Sequence, residues 1–136
     1  MNGLRATFDL ETTGVDVTTA RIVTASLILL DPQGNVVRRG EWLADPGVEI
    51  PAGAAAVHGI TTEYAREHGR SAREVVWELA GAIGALNLDG VPIIAFNAAY
   101  DFSVLHHEML RHNIANGELP PGVVLDPYVL HKHVIP

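Results

Sequence analysis

The chain has 136 residues, 9 basic and 16 acidic side chains and a net charge of −7; 48% of its residues are hydrophobic and 18% charged. That is one domain's worth of chain with apolar matter for a core, which excludes a disordered tail, and the absence of cysteine removes disulfide scaffolds, thiol nucleophiles and thiolate zinc sites together. The acidic balance argues against holding nucleic acid by a basic stripe and permits a carboxylate-rich metal site.

A single domain over residues 1–136 is expected. No uncharged stretch approaches the roughly 20 residues of a membrane helix, and Met1-Asn2-Gly3-Leu4-Arg5 runs into strand-like sequence without a signal-peptide pattern. The expected location is the cytoplasm, with no membrane partner.

In chain order, residues 5–11 place Ala6, Phe8 and Leu10 on one face and Thr7, Asp9 and Glu11 on the other, which is strand periodicity. Thr12-Thr13-Gly14 breaks it. Two further β-rich runs, 21–30 and 36–42, flank the turn residues Asp31 to Asn35 and predict a hairpin. Residues 45–60, with Pro46, Gly47, Pro51, Gly53 and Gly59, read as loop, and Thr61 or Thr62 caps a short helix to about His68.

Ser71-Ala72-Arg73-Glu74 has capping-box spacing, and Val75, Val76, Leu79, Ala80, Ile83 and Leu86 form a helical stripe ended by Gly90. Residues 91–96 are a short apolar run with the look of a strand buried on both faces. Asn97 caps a helix that carries Asp101 in its first turn, buries Phe102, Leu105 and Met109, and breaks between Asn113 and Gly117. Val123-Val124-Leu125 is a last strand, and Asp126-Pro127 opens another helix. The order β-β-β-α-α-β-α-β-α predicts an α/β layer with a hairpin at one side.

Residues i and i+2 of a strand lie roughly 6.5–7 Å apart on one face, so Asp9 and Glu11 can reach one divalent cation or a pair held ~4 Å apart. Alone, the pair also fits a solvated strand face, and Asp101 fits a favourable helix-dipole position. Together, three acids are expected to converge at neighbouring strand ends, where open α/β sheets place ligands. Such hard oxygen donors select Mg²⁺ or Mn²⁺ over zinc.

Three segments, Phe8-Asp9-Leu10-Glu11-Thr12-Thr13-Gly14, Val57-His58-Gly59-Ile60-Thr61 and Asn97-Ala98-Ala99-Tyr100-Asp101-Phe102, resemble in order the signatures of the DEDDh 3′→5′ exonucleases, in their proofreading, epsilon-subunit-like form. The resemblance implies a ribonuclease H-like fold, with a mixed five-stranded sheet flanked by helices, and two-metal hydrolysis of 3′ ends, DNA ahead of RNA, to nucleoside 5′-monophosphates. It implies Asp9, Glu11 and Asp101 as catalytic metal carboxylates for two Mg²⁺ or Mn²⁺ ions. It also implies Thr12, Val57, His58 and Asn97 as substrate contacts, and a DNA polymerase as a partner.

The resemblance is incomplete. The family's further motif, a His followed five residues later by an Asp on a C-terminal helix, occurs nowhere in the 136 residues, and neither His131 nor His133 has an acid after it. The expectation is a C-terminally truncated domain with little activity, self-associating through the face that such a helix would cover. His106, His107 and His112 are expected to be solvated or half-buried, not zinc ligands, because no His-x₃-His pair occurs on their helix. Trp42, Trp77, Tyr64 and Tyr128 are scattered and form no stacking platform. The alternatives are a non-catalytic module of this fold that binds nucleic-acid ends or a polymerase, and a Mg²⁺ phosphohydrolase acting on small nucleotides.

Overall fold

Alternation builds the first strand. In the computed structural model, which describes residues 3–129, Arg5–Thr12 form β1 with Ala6, Phe8 and Leu10 buried and Asp9 and Glu11 on the opposite face. Ile22–Leu30 (β2) and Val36–Asp45 (β3) add to it antiparallel. Their hairpin is tied by the Asp31 carboxylate, which accepts from the amides of Gln33 (2.9 Å) and Asn35 (2.8 Å), and Gly34 supplies the positive φ of +86° that the turn requires.

The sheet has six strands, not five, in the order β4-β3-β2-β1-β5-β6. The additional strand is Arg70–Ser71 (β4), which pairs in parallel with Ala44 and Asp45 and draws β3 three residues past Trp42. Two polar residues carry no alternation, so nothing in the sequence separates this strand from the helix cap it adjoins. β5 (Ile93–Ile94) lies parallel to β1 and β6 (Val124–Leu125) parallel to β5. β5 is shorter than the apolar run that encodes it: Val91, Ile93 and Ala95 are buried, whereas Phe96 is 66% exposed.

Ala52–His58 (α1), Thr62–His68 (α2), Ala72–Leu88 (α3) and Ala98–Arg111 (α4) accompany the sheet. α1 replaces the expected loop. It buries no residue and has no side-chain cap, so it lacks the amphipathic stripe by which helices are read, and left-handed Gly59 ends it. In α3 the Ser71 hydroxyl accepts from the Glu74 amide at 3.2 Å, and Val75, Val76, Leu79, Ala80 and Ile83 are buried as expected.

α3 and α4 pack on the Phe8 face of the sheet, where Leu79, Ile83, Leu105 and Met109 meet Phe8, Leu10 and Ile93. Phe102 meets Phe8 edge to face with ring centroids 5.2 Å apart. Val23, Ile50 and Ala65 form a second, smaller cluster where α2 lies against β3. α4 breaks where expected, with positive φ at Asn113, Ala115, Asn116 and Gly117. Residues 127–129 begin the helix expected after Asp126-Pro127; His131 and His133 lie outside the described residues. No helix among the described residues is long and apolar enough to cross a membrane.

Candidate active site

Because β1 and β5 run parallel, their carboxyl ends open at the same edge of the sheet. Asp9 and Glu11 leave β1 near that edge, and α4, which starts just after β5, carries Asp101 in its first turn. Asp101 is only 4% exposed. Its carboxyl is pushed up to about 7, first by burial and then by the charges of Asp9, Glu11 and Asp126. The three expected acids therefore share one electrostatic neighbourhood, joined by a fourth. Asp9 is open to solvent at the surface, yet the protein around it pushes its own carboxyl up, against the opposing hydrogen bond from the Leu10 amide.

Among the described residues, no three His, Asp or Glu side chains form a ready metal cage. The donor chemistry nevertheless fits a hard divalent cation: the carboxylates are oxygen donors, and buried Asp101 lies under the charges of Asp9 and Glu11.

Beside the acids, the strand geometry is broken on purpose of the turn that follows. The β1–β2 register shifts between Glu11 and Thr12, an irregularity of the kind that re-aims side chains at functional sites. Next to it lies a cavity of about 410 Å³ lined by Glu11, Thr12, Gly14, Val57, His58 and Tyr100, among others. Of the expected substrate contacts, Thr12, Val57 and His58 are thus brought together with Glu11. Asn97 does not line this cavity.

Both ring nitrogens of His58 are engaged by backbone. Nδ1 accepts from the Ile60 amide at 3.1 Å, which places the proton on Nε2, facing the Thr12 carbonyl at 3.2 Å. The ring therefore fastens the end of α1 to the end of β1 and offers the cavity its carbon edge. His58→Ala removes both bonds and is expected to lower stability by about 1–3 kcal/mol, read by urea denaturation; a change below ~0.5 kcal/mol would show that the brace has no weight.

Tyr100, to which the sequence alone assigns no role, holds the same turn from the other side. Its hydroxyl donates to the Gly14 carbonyl and lies 2.5 Å from Thr12 Oγ1, which donates to the Gly14 carbonyl at 2.9 Å. The signal for it was its place directly before Asp101, one residue along the same first turn.

Asn97 departs from its expected capping role. It sits at φ 57°, ψ 51°, a left-handed conformation that Asn tolerates, and its side chain makes no cap bond. The cap comes from Asp126 instead, whose carboxylate accepts from the Asn97 amide (3.0 Å) and the Ala98 amide (2.9 Å). Of the histidines on α4, His106 Nδ1 meets the Gly117 carbonyl at 2.6 Å and His107 Nδ1 the Ser103 carbonyl at 2.8 Å. Trp42 donates to Glu78 at 3.1 Å and Trp77 is 59% exposed.

The sequence matches no protein-family model and no curated protein. Solved structures do match. E. coli Exonuclease I in complex with a 5cy-dT13 oligonucleotide aligns with a TM-score of 0.79 at 18% identity, over 98% of this chain and 30% of that one. A moderately thermophilic Exonuclease I from Methylocaldum szegediense aligns at 0.76 and 21% identity, over 90% of this chain and 27% of that one. The zinc-bound form of an E. coli ExoI–ssDNA complex aligns at 0.77 and 18% identity, over 91% and 28%. This chain spans about 30% of the length of those proteins. With a mixed sheet between helices and a near-complete overlap, it has the ribonuclease H-like fold of these exonucleases.

Proposed function

We propose that this chain is a metal-dependent 3′→5′ exonuclease domain acting on nucleic-acid 3′ ends, DNA ahead of RNA. The observation that carries the reading is buried Asp101 under the charge of Asp9 and Glu11, at the strand ends and beside an open cavity of about 410 Å³. The fold shared with Exonuclease I, which is in complex with an oligonucleotide in some of the matched structures, supports it.

In this reading Asp9, Glu11 and Asp101 would hold one or two Mg²⁺ or Mn²⁺ ions, which when bound would supply water activation at neutral pH and charge neutralisation at phosphorus. Thr12 and Val57 form the wall against which the terminal nucleotide rests, and the His58 brace fixes that wall to the strand bearing Glu11. Tyr100 ties the 12–14 turn to the helix bearing Asp101, so the wall and the carboxylates keep one spacing.

The family's His and following Asp occur nowhere in these 136 residues. A missing general base lowers rates by about 10²–10⁴-fold, so these residues by themselves are expected to act near background. The test is stepwise shortening of a 5′-labelled oligodeoxynucleotide by the whole gene product in Mn²⁺, with 5′-monophosphates identified by chromatography. Tight binding to 3′ ends without any shortening would select the non-catalytic module.

Metal binding can be read on the chain itself. At Mn²⁺ about 100-fold above its dissociation constant, thermal unfolding should show about 2.7 kcal/mol of added stability, and Asp9→Asn should remove most of it. A midpoint indifferent to millimolar Mn²⁺ would count against the site.

A further inference from the structure

Asp126 stands at the end of β6, and its surroundings go beyond the cap it was expected to make for the helix that follows. β5 and β6 are in register at Ile94 and Leu125, so the next residue of β6 stands beside the segment that leaves β5 and enters α4. There Asp126 serves two helix starts at once. Oδ1 accepts from the Asn97 amide at 3.0 Å and from the Tyr128 amide at 2.9 Å, while Oδ2 accepts from the Ala98 amide at 2.9 Å.

α4 needs this outside help. Asn97, in its left-handed conformation, makes no side-chain cap bond, so two of the helix's first free amides find their acceptor 28 and 29 residues away along the chain. The turn being held is the one that carries Asp101. A carboxylate whose two oxygens already accept three backbone N–H groups has little left for a cation, so its chemistry is that of a clamp.

We propose that Asp126 is a positioning residue of the carboxylate centre: by clamping the N-termini of α4 and of the helix that follows β6, it fixes the first turn of α4 and hence Asp101 against Asp9 and Glu11. The inference rests on the metal-site reading above only in its second consequence, metal affinity; the first, order in the α4 turn, is independent of it.

The experiment compares wild type, Asp126→Ala and, as a milder change that keeps one acceptor oxygen, Asp126→Asn. Ser71→Ala, which removes the cap of distant α3, serves as a control for general destabilisation. Metal-free amide exchange followed residue by residue should quicken about tenfold or more at Asn97, Ala98, Tyr100 and Asp101 in Asp126→Ala, and stay at wild-type rates there in Ser71→Ala. Under conditions where each variant is folded, the Mn²⁺ dissociation constant from direct titration should rise about 10–100-fold in Asp126→Ala and hold within twofold in Ser71→Ala. If Asp126→Ala proves unfolded, Asp126→Asn carries the test, with the same directions at smaller size.

Unchanged exchange at residues 97–101 in a folded variant overturns the proposal. Loss of Mn²⁺ with that exchange unchanged overturns it in favour of direct ligation by Asp126. Wild type that binds no Mn²⁺ overturns the metal-site reading instead, and the exchange measurement then decides the clamp by itself.

Discussion

Glu108→Ala should destabilise the chain by about 3–5 kcal/mol in urea denaturation, the largest stability loss expected of any single substitution outside the apolar core. Glu108 is fully buried on α4. One of its oxygens accepts from Arg21 Nε at 2.8 Å and from Arg111 at 2.5 Å, and the other accepts from the Ile22 amide at 2.9 Å. Truncation leaves the Arg21 guanidinium, 14% exposed, without its counter-charge and orphans a buried amide. The damage should extend to the site, because Arg21 pairs with Thr13 through both backbone directions: its amide donates to Thr13 Oγ1 at 2.9 Å and its carbonyl accepts from the Thr13 amide at 3.0 Å. Glu108→Gln, which keeps two polar atoms in place, should lose less. A loss below ~1 kcal/mol in the alanine variant would mean that Arg21 and Ile22 find water instead.

Asp101→Asn should act in opposite directions on stability and on function. In metal-free buffer the neutral amide removes a buried charge that faces Asp9 and Glu11, so the variant should be the more stable of the two. The sign follows from linkage. A carboxyl held near 7 in the folded chain, against 3.8 ordinarily, has its full contribution below about 4 and loses it as pH rises through 7. Wild type and variant should thus unfold alike at pH 4, diverge as pH rises from about 4 to 7 and keep a constant gap above it, with an upper bound on the order of 4 kcal/mol. The same substitution should abolish the Mn²⁺ stabilisation and lower 3′-end hydrolysis by the whole gene product by about 10²–10⁴-fold, the counterpart of several kcal/mol of charge stabilisation. A variant less stable than wild type at pH 8 without metal would refute the crowding of charge at this position.

Local pattern was enough for much of the architecture. Alternation on β1 assigned Asp9 and Glu11 to one face and Phe8 and Leu10 to the other, the Asp31–Asn35 turn marked its hairpin, and the apolar stripe of α3 marked the buried side of that helix, because each of these is a property of a few neighbouring residues. The order of the acids along the chain also placed them at strand ends, and the structure sets Asp101 under the charge of Asp9 and Glu11. What local pattern does not encode is partnership across the chain. α1 packs only Ala54 and Ala55, partly buried, and so has no apolar stripe to read, and β4 is two residues whose strand character comes from pairing with β3.

The same holds within the site. Glu108 reads as a polar residue on an amphipathic helix until Arg21, 87 residues away, is folded against it. Nothing local marks His58 as a brace; that follows only when the Ile60 amide and the Thr12 carbonyl meet its two nitrogens. Asp126 reads as the cap of its own helix, and only the parallel pairing of β5 with β6 brings it to the start of α4. Sequence by itself determined which residues carry charge and which faces are apolar, since both follow from side-chain type and period. Tertiary structure decided which buried polar groups satisfy one another, because a hydrogen bond at 3 Å depends on where two distant segments meet.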